Sequence, residues 1–160
     1  MSVAEASDAD GVAFNHVGIC VADLERSRRF YQDALQFQYW WELVVLDQGA
    51  TRLLQLPGPL GTTAVYLTRD RFVLELIYFA DSAVRPTPPR VMDNPGLTHL
   101  SLAVADIPAT LARVTANGGE ILQDTDMGGL AIMIRDPDGQ LIELTSLQFH
   151  ASRPPWPDER

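Results

Sequence analysis

Two of the chain's three histidines sit in matching surroundings. Phe14 to Glu25 reads F-N-H-V-G-I-C-V-A-D-L-E, and Leu97 to Ala109 reads L-T-H-L-S-L-A-V-A-D-I-P-A. Aligning His16 with His99 also aligns Val21-Ala22-Asp23 with Val104-Ala105-Asp106. Further along each copy, Phe72-Val-Leu-Glu-Leu is matched by Gln140-Leu-Ile-Glu-Leu, which aligns Glu75 with Glu143. Both glutamates interrupt strongly apolar strands, where a carboxylate without a partner is costly. Two imidazole nitrogens and two carboxylate oxygens suit Ni2+, Co2+, Mn2+, Fe2+ or Zn2+, with positions left for water or substrate. The expectation is a divalent-metal site built from His16, Glu75, His99 and Glu143. His150 has no repeat mate and is read as structural or exposed. The lone Cys20 excludes a thiolate-rich zinc site and an internal disulfide.

The elements that must carry these residues repeat as well. Each histidine opens an alternating strand that ends at an Asp, and helical spacing follows. In the first copy Leu24, Phe30, Tyr31, Ala34 and Leu35 share one helical face; in the second Ile107, Leu111 and Val114 do. Asp23 and Asp106 stand where a short carboxylate caps a helix start. Pro108 falls in a first turn, where a missing N–H costs little, and Asn117-Gly118-Gly119 ends the second helix. Strands are expected over Tyr39–Leu46, then Ala50–Leu56 or Thr63–Thr68, then Phe72–Phe79. In the second copy they are expected over Ile121–Gln123, Leu130–Arg135 and Leu141–Ser146, with a turn at Asp136-Pro137-Asp138-Gly139. The fold class is therefore α+β: two tandem β-α-β-β-β modules whose curved mixed sheets enclose a metal-centred cavity. Residues 1–12 form a tail, 13–80 the first module, 81–96 a proline-rich linker, 97–149 the second module and 150–160 an irregular tail. A module of about 60 residues is marginal alone and must pack against its twin.

Bulk properties narrow the partners. The net charge of −9 argues against nucleic acid, and all 12 basic residues are Arg, so a Schiff-base lysine is excluded. No apolar run approaches the roughly 20 residues of a membrane helix. Met1 to Gly11 has neither the basic start nor the apolar stretch of a secretion signal. With the single Cys, the expected location is the cytoplasm.

Over Phe14 to Leu147 the sequence resembles the vicinal oxygen chelate superfamily, which includes glyoxalase I, methylmalonyl-CoA epimerase, extradiol dioxygenases, and fosfomycin or bleomycin resistance proteins. The resemblance rests on H-V-G-I-C-V-A-D-L with F-Y-Q-D-A-L, on T-H-L-S-L-A-V-A-D-I and on D-P-D-G-Q-L-I-E-L. It implies that His16, Glu75, His99 and Glu143 correspond to the metal ligands of bacterial glyoxalase I. It further implies a lyase or isomerase acting on a small oxygen-chelating metabolite, with the metal polarising vicinal oxygens. Glu143, and by the same analogy Glu75, would move the proton. A homodimer is also implied, its sites built within one chain or across two. Two departures bear on the substrate. Cys20 takes the place of the basic residue that helps hold glutathione, and Phe79 that of a polar residue following the first Glu. The acid that epimerases carry ahead of their second ligand falls on Pro57-Gly58-Pro59-Leu60.

Strand parity places Cys20, Phe79 and Ser101 on the faces that carry the four ligands. Beyond the metal this wall is mostly apolar, which points to a small apolar or aromatic oxygen-bearing substrate. Trp40 and Trp41 are candidates for the mouth of the pocket; the plainer alternative packs one in the core and caps an edge with the other. Two further readings stay open. One is an extradiol-type ring-cleaving dioxygenase using Fe2+, against which the extra carboxylate Glu75 stands. The other is a metal-free drug-binding or resistance protein, against which the retention of all four ligands stands.

Overall fold

Asp23 and Asp106 start their helices as short carboxylates do. In the computed structural model, which describes residues 11–82, 85, 91–93 and 95–154, Asp23 Oδ1 accepts the Arg26 N–H at 3.0 Å. Asp106 Oδ1 accepts the Ala109 N–H at 2.8 Å, so each carboxylate satisfies a donor that the helix itself cannot. Much of the expected linker (83, 84, 86–90 and 94) and of both tails (1–10 and 155–160) lies outside the described residues.

The first module runs β1 (Val17–Cys20), α1 (Leu24–Arg29), a π-helical turn (Phe30–Ala34), β2 (Gln38–Val45), α2 (Asp47–Leu54), β3 (Thr62–Arg69) and β4 (Phe72–Phe79). The second runs β5 (Leu100–Val104), α3 (Ile107–Ala116), β6 (Glu120–Leu122), a 3-10 turn (Gln123–Thr125), β7 (Ala131–Arg135), β8 (Leu141–Ser146) and α4 (Leu147–Ala151). Strand order is β1-β4-β3-β2 in one four-stranded sheet and β5-β8-β7-β6 in the other. In each, the first strand lies parallel to the last and the remaining pairs are antiparallel, the signature of one module used twice.

One expected strand is a helix. Ala50–Leu56 was an alternative to Thr63–Thr68, but Asp47–Leu54 forms α2 and only the later segment pairs with β4. Ala50 is buried, and the Thr51 hydroxyl donates back to the Asp47 carbonyl at 2.7 Å. Gln55, with φ 54°, ends the helix in the left-handed region. Asp47 Oδ1 then accepts from Leu60 and Gly61 N–H, which returns the chain to β3. At the other end of the chain, α4 carries helical structure past residue 149 into the segment expected to be irregular.

A single apolar core serves both modules. Val65, Leu67, Leu74 and Leu76 of the first sheet and Ile132, Ile134, Ile142 and Leu144 of the second join it, with Phe30, Tyr31 and Ala34 and with Val114 of α3. Packing there is close: a Cβ on Gly119 would stand 2.6 Å from Phe30 and 2.7 Å from Val114. The Asp136–Gly139 turn, expected only to reverse the chain, also ties the modules together. Asp138 accepts from the guanidinium of Arg26, from the Ser27 hydroxyl at 3.0 Å and from the Ala22 N–H at 3.3 Å.

This packing sets the direction of the glutamates. Glu75 lies between Leu74 and Leu76, and Glu143 between Ile142 and Leu144, all four of them core residues. Strand side chains alternate, so both carboxylates occupy the sheet faces turned away from the shared core. The modules meet through their helix-bearing faces, and the sheets close no barrel within one chain.

Candidate metal centre

Each repeat brings its histidine to its glutamate. His16 directly precedes β1, which lies beside β4 with Gly18 opposite Glu75. His16 Nε2 stands 3.2 Å from Glu75 Oε2. In the second repeat β5 lies beside β8 with Ser101 opposite Glu143, and His99 Nε2 stands 3.8 Å from Glu143 Oε2. All four side chains are partly exposed.

The far side of each imidazole is tethered by the preceding residue. His16 Nδ1 is 3.2 Å from Asn15 Oδ1, and His99 Nδ1 is 2.9 Å from Thr98 Oγ1. An N–H donated from Nδ1 to these oxygens leaves Nε2 with its lone pair facing a carboxylate oxygen. Two lone pairs face to face are relieved by a shared proton or by a cation between them. Ligands about 2.0–2.2 Å from one ion, at roughly right to tetrahedral angles, are themselves about 3 Å apart. The first pair has that spacing and the second is slightly wider, so each pair fits two adjacent positions on one metal ion. The two pairs do not meet: among the described residues no group of three or more His, Cys, Asp or Glu side chains is placed to hold one ion. The core-facing packing of both sheets is the reason.

The carboxylates are held from different sides. Tyr66 of β3 pairs with Glu75 across the β3–β4 hairpin and donates its hydroxyl to Oε1 at 2.7 Å. Burial, then the hydrogen bond and charge of Glu75, push that phenol up to about 12. Its ring stacks on Trp41, with centroids 4.4 Å apart and planes within 4°, and meets His16 edge-on at 5.6 Å. In the second repeat Met133 occupies the position equivalent to Tyr66, and the hydroxyl comes instead from Ser101, which donates to Glu143 Oε2 at 2.6 Å. Tyr66 was not singled out from sequence, although a hairpin turning at Asp70-Arg71 pairs it with Glu75.

The remaining expected site residues are placed as follows. Trp40 and Trp41 are both exposed, at 58% and 38%, so neither packs in the core. The β2–β3 register skips Trp40 between Tyr39 and Trp41; this bulge brings adjacent indoles into edge contact at 6.2 Å. Cys20 lies two residues along β1 from Gly18 with its surface largely open, and partial burial of its thiol followed by the Asp138 charge raises it above the ordinary 9.0. It therefore stays a thiol at neutral pH, the unreactive form. Phe79 is half-buried at the end of β4, opposite Thr62. His150 lies exposed on α4, with Nε2 2.8 Å from the Arg153 guanidinium.

Two repeated βαβββ modules, each presenting one His–Glu pair, define the class. The Glyoxalase/Bleomycin resistance protein/Dioxygenase superfamily profile matches residues 13–144, and the chain belongs to that superfamily. An uncharacterised Bacillus subtilis protein, YwkD, is 29% identical over 136 residues, spanning 82% of this chain and 94% of its own. A glyoxalase family protein from Bacillus cereus superposes with a TM-score of 0.73 at 18% identity, covering 88% of this chain and 97% of its own. The trypanothione-dependent glyoxalase I of Leishmania major gives 0.63 at 23% identity, covering 85% and 87%. Both structural likenesses speak to the fold. No helix among the described residues is long and apolar enough to cross a membrane.

Proposed function

We propose that this protein is a divalent-metal-dependent lyase or isomerase of the glyoxalase I-like type, and that two copies of the chain assemble each site. His16 and Glu75 would come from one copy and His99 and Glu143 from the other. One observation carries this: two repeat-related His–Glu pairs, each with Nε2 turned toward a carboxylate, on sheet faces that the shared core keeps apart within one chain. A second copy that lays its second module over the first module's exposed face supplies the missing ligands and covers Trp41 and Tyr66.

A bound divalent ion would supply Lewis acidity toward two neighbouring oxygens of a small metabolite. The chain's own residues do the rest. Asn15 and Thr98 orient the imidazoles. Glu143, bonded to the Ser101 hydroxyl through the same Oε2 that faces His99, is the carboxylate whose other oxygen would carry a proton. The exposed aromatic wall of Trp40 and Trp41 favours a substrate with an apolar or aromatic body over a glutathione adduct.

Elemental analysis of protein purified without chelator or affinity metal tests the proposal. About one transition metal per chain is expected, lost in the double variant His16→Ala/Glu143→Ala. A protein that holds no metal as isolated or after reloading with Ni2+, Co2+, Mn2+, Fe2+ or Zn2+ would leave a metal-free binding role as the better account.

A further inference from the structure

On the basis of the metal site above, we propose that Tyr66 is the positioning residue of Glu75: its hydroxyl locks Oε1, so that Glu75 offers a metal ion Oε2 alone, on the His16 side. Three contacts hold the phenol where it can do this. Cross-strand pairing sets Tyr66 directly beside Glu75. The parallel stack on Trp41 fixes the plane of the ring, and the His16 edge closes the side toward the ligand nitrogen. From that position the hydroxyl reaches Oε1 at 2.7 Å.

The other oxygen is directed by absence of bulk. Oε2 lies 3.2 Å from His16 Nε2 and only 2.8 Å from where a Cβ on Gly18 would stand, so the glycine is the space into which the carboxylate turns. Glu75 is thereby anchored at Oε1 and left room to turn Oε2 toward His16 before any ion arrives. A carboxylate ordered in advance by an outer hydrogen bond binds metal more tightly than one that must be ordered on binding.

The twin half-site lacks this device. Met133 has no hydrogen to donate at the equivalent position, and the Ser101 hydroxyl bonds the same oxygen of Glu143 that faces His99. The two carboxylates, equivalent by repeat, therefore differ in freedom: Glu75 is the fixed ligand, and Tyr66 makes it so.

Ni2+ titration by calorimetry of the full chain, with the visible spectrum of the Co2+-loaded protein, tests this in Tyr66→Phe, which keeps the ring on Trp41 and removes the hydroxyl. The expected result is a Ni2+ affinity about ten- to a hundred-fold weaker and an altered Co2+ spectrum, with the metal-free thermal midpoint unchanged. In a Glu75→Asp background, where the shorter carboxylate no longer reaches the phenol, the same change should alter affinity less than about two-fold. Wild-type affinity and spectrum in Tyr66→Phe would overturn the proposal. So would an equal loss in the Glu75→Asp background or a lowered metal-free midpoint, either of which marks a hydroxyl that does not act through Glu75. If the wild-type chain binds neither ion, the metal-enzyme proposal fails first and the role of Tyr66 falls with it.

Discussion

Tyr31, in the first module, donates its hydroxyl to Asp136, in the second, over 2.9 Å, and both are buried. The same carboxylate accepts the backbone N–H groups of Asp138 and Gln140, so three donors converge on it inside the junction. Tyr31→Phe removes one of them and leaves a buried carboxylate short of a partner. The expected loss is about 1–3 kcal/mol, read as a lower urea midpoint with an unchanged slope.

The same pair sets a pH dependence. Burial first, then the Asp136 charge and hydrogen bond, push the Tyr31 phenol well above its ordinary 10.0. A raised acid contributes stability that is whole below the unfolded value and is lost as pH rises toward the folded one. Stability should therefore fall as pH climbs past about 10, because the unfolded chain releases this proton while the native chain keeps it. Urea denaturation between pH 8 and 11 should show a steeper decline for the wild type than for Tyr31→Phe. Parallel curves would mean that Tyr31 titrates alike in both states.

Gly18 separates binding from stability. An alanine Cβ there would sit 2.8 Å from Glu75 Oε2, and the side chain able to move is the glutamate's own. Gly18→Ala should leave the unfolding free energy within about 1 kcal/mol of wild type while displacing the carboxylate. Metal affinity, measured by competition with a chromogenic chelator, should fall about ten-fold or more.

Shared sites have a stoichiometric signature. A chain carrying His16→Ala/Glu75→Ala, mixed with one carrying His99→Ala/Glu143→Ala, should form dimers with one intact site and one doubly defective site. Either variant alone should hold no metal, and the mixture should regain it. Continued absence of metal in a purified mixed dimer would mean that each site draws its ligands from a single chain.

The sequence by itself determined the local architecture. The repeat around His16 and His99, the capping aspartates and the alternation in Phe72–Phe79 and Leu141–Ser146 are near-neighbour features, and near-neighbour physics formed them as expected. The equivalence of His16 with His99 and of Glu75 with Glu143 was likewise legible, but the parallel β1–β4 and β5–β8 pairing that brings each histidine to its own glutamate was not. Ala50–Leu56 was ambiguous for a stated reason: a short apolar run fits helix and strand alike until its burial is known. Tyr66 became visible only once the β3–β4 register put it opposite Glu75.

Only the tertiary structure decided which faces of the two modules meet. Alternation shows that a strand has two faces but not which one a distant module will cover, since either burial leaves the local pattern unchanged. Tyr31, Asp136 and the common core settled it by joining the helix-bearing faces, and that choice holds the two His–Glu pairs apart in one chain.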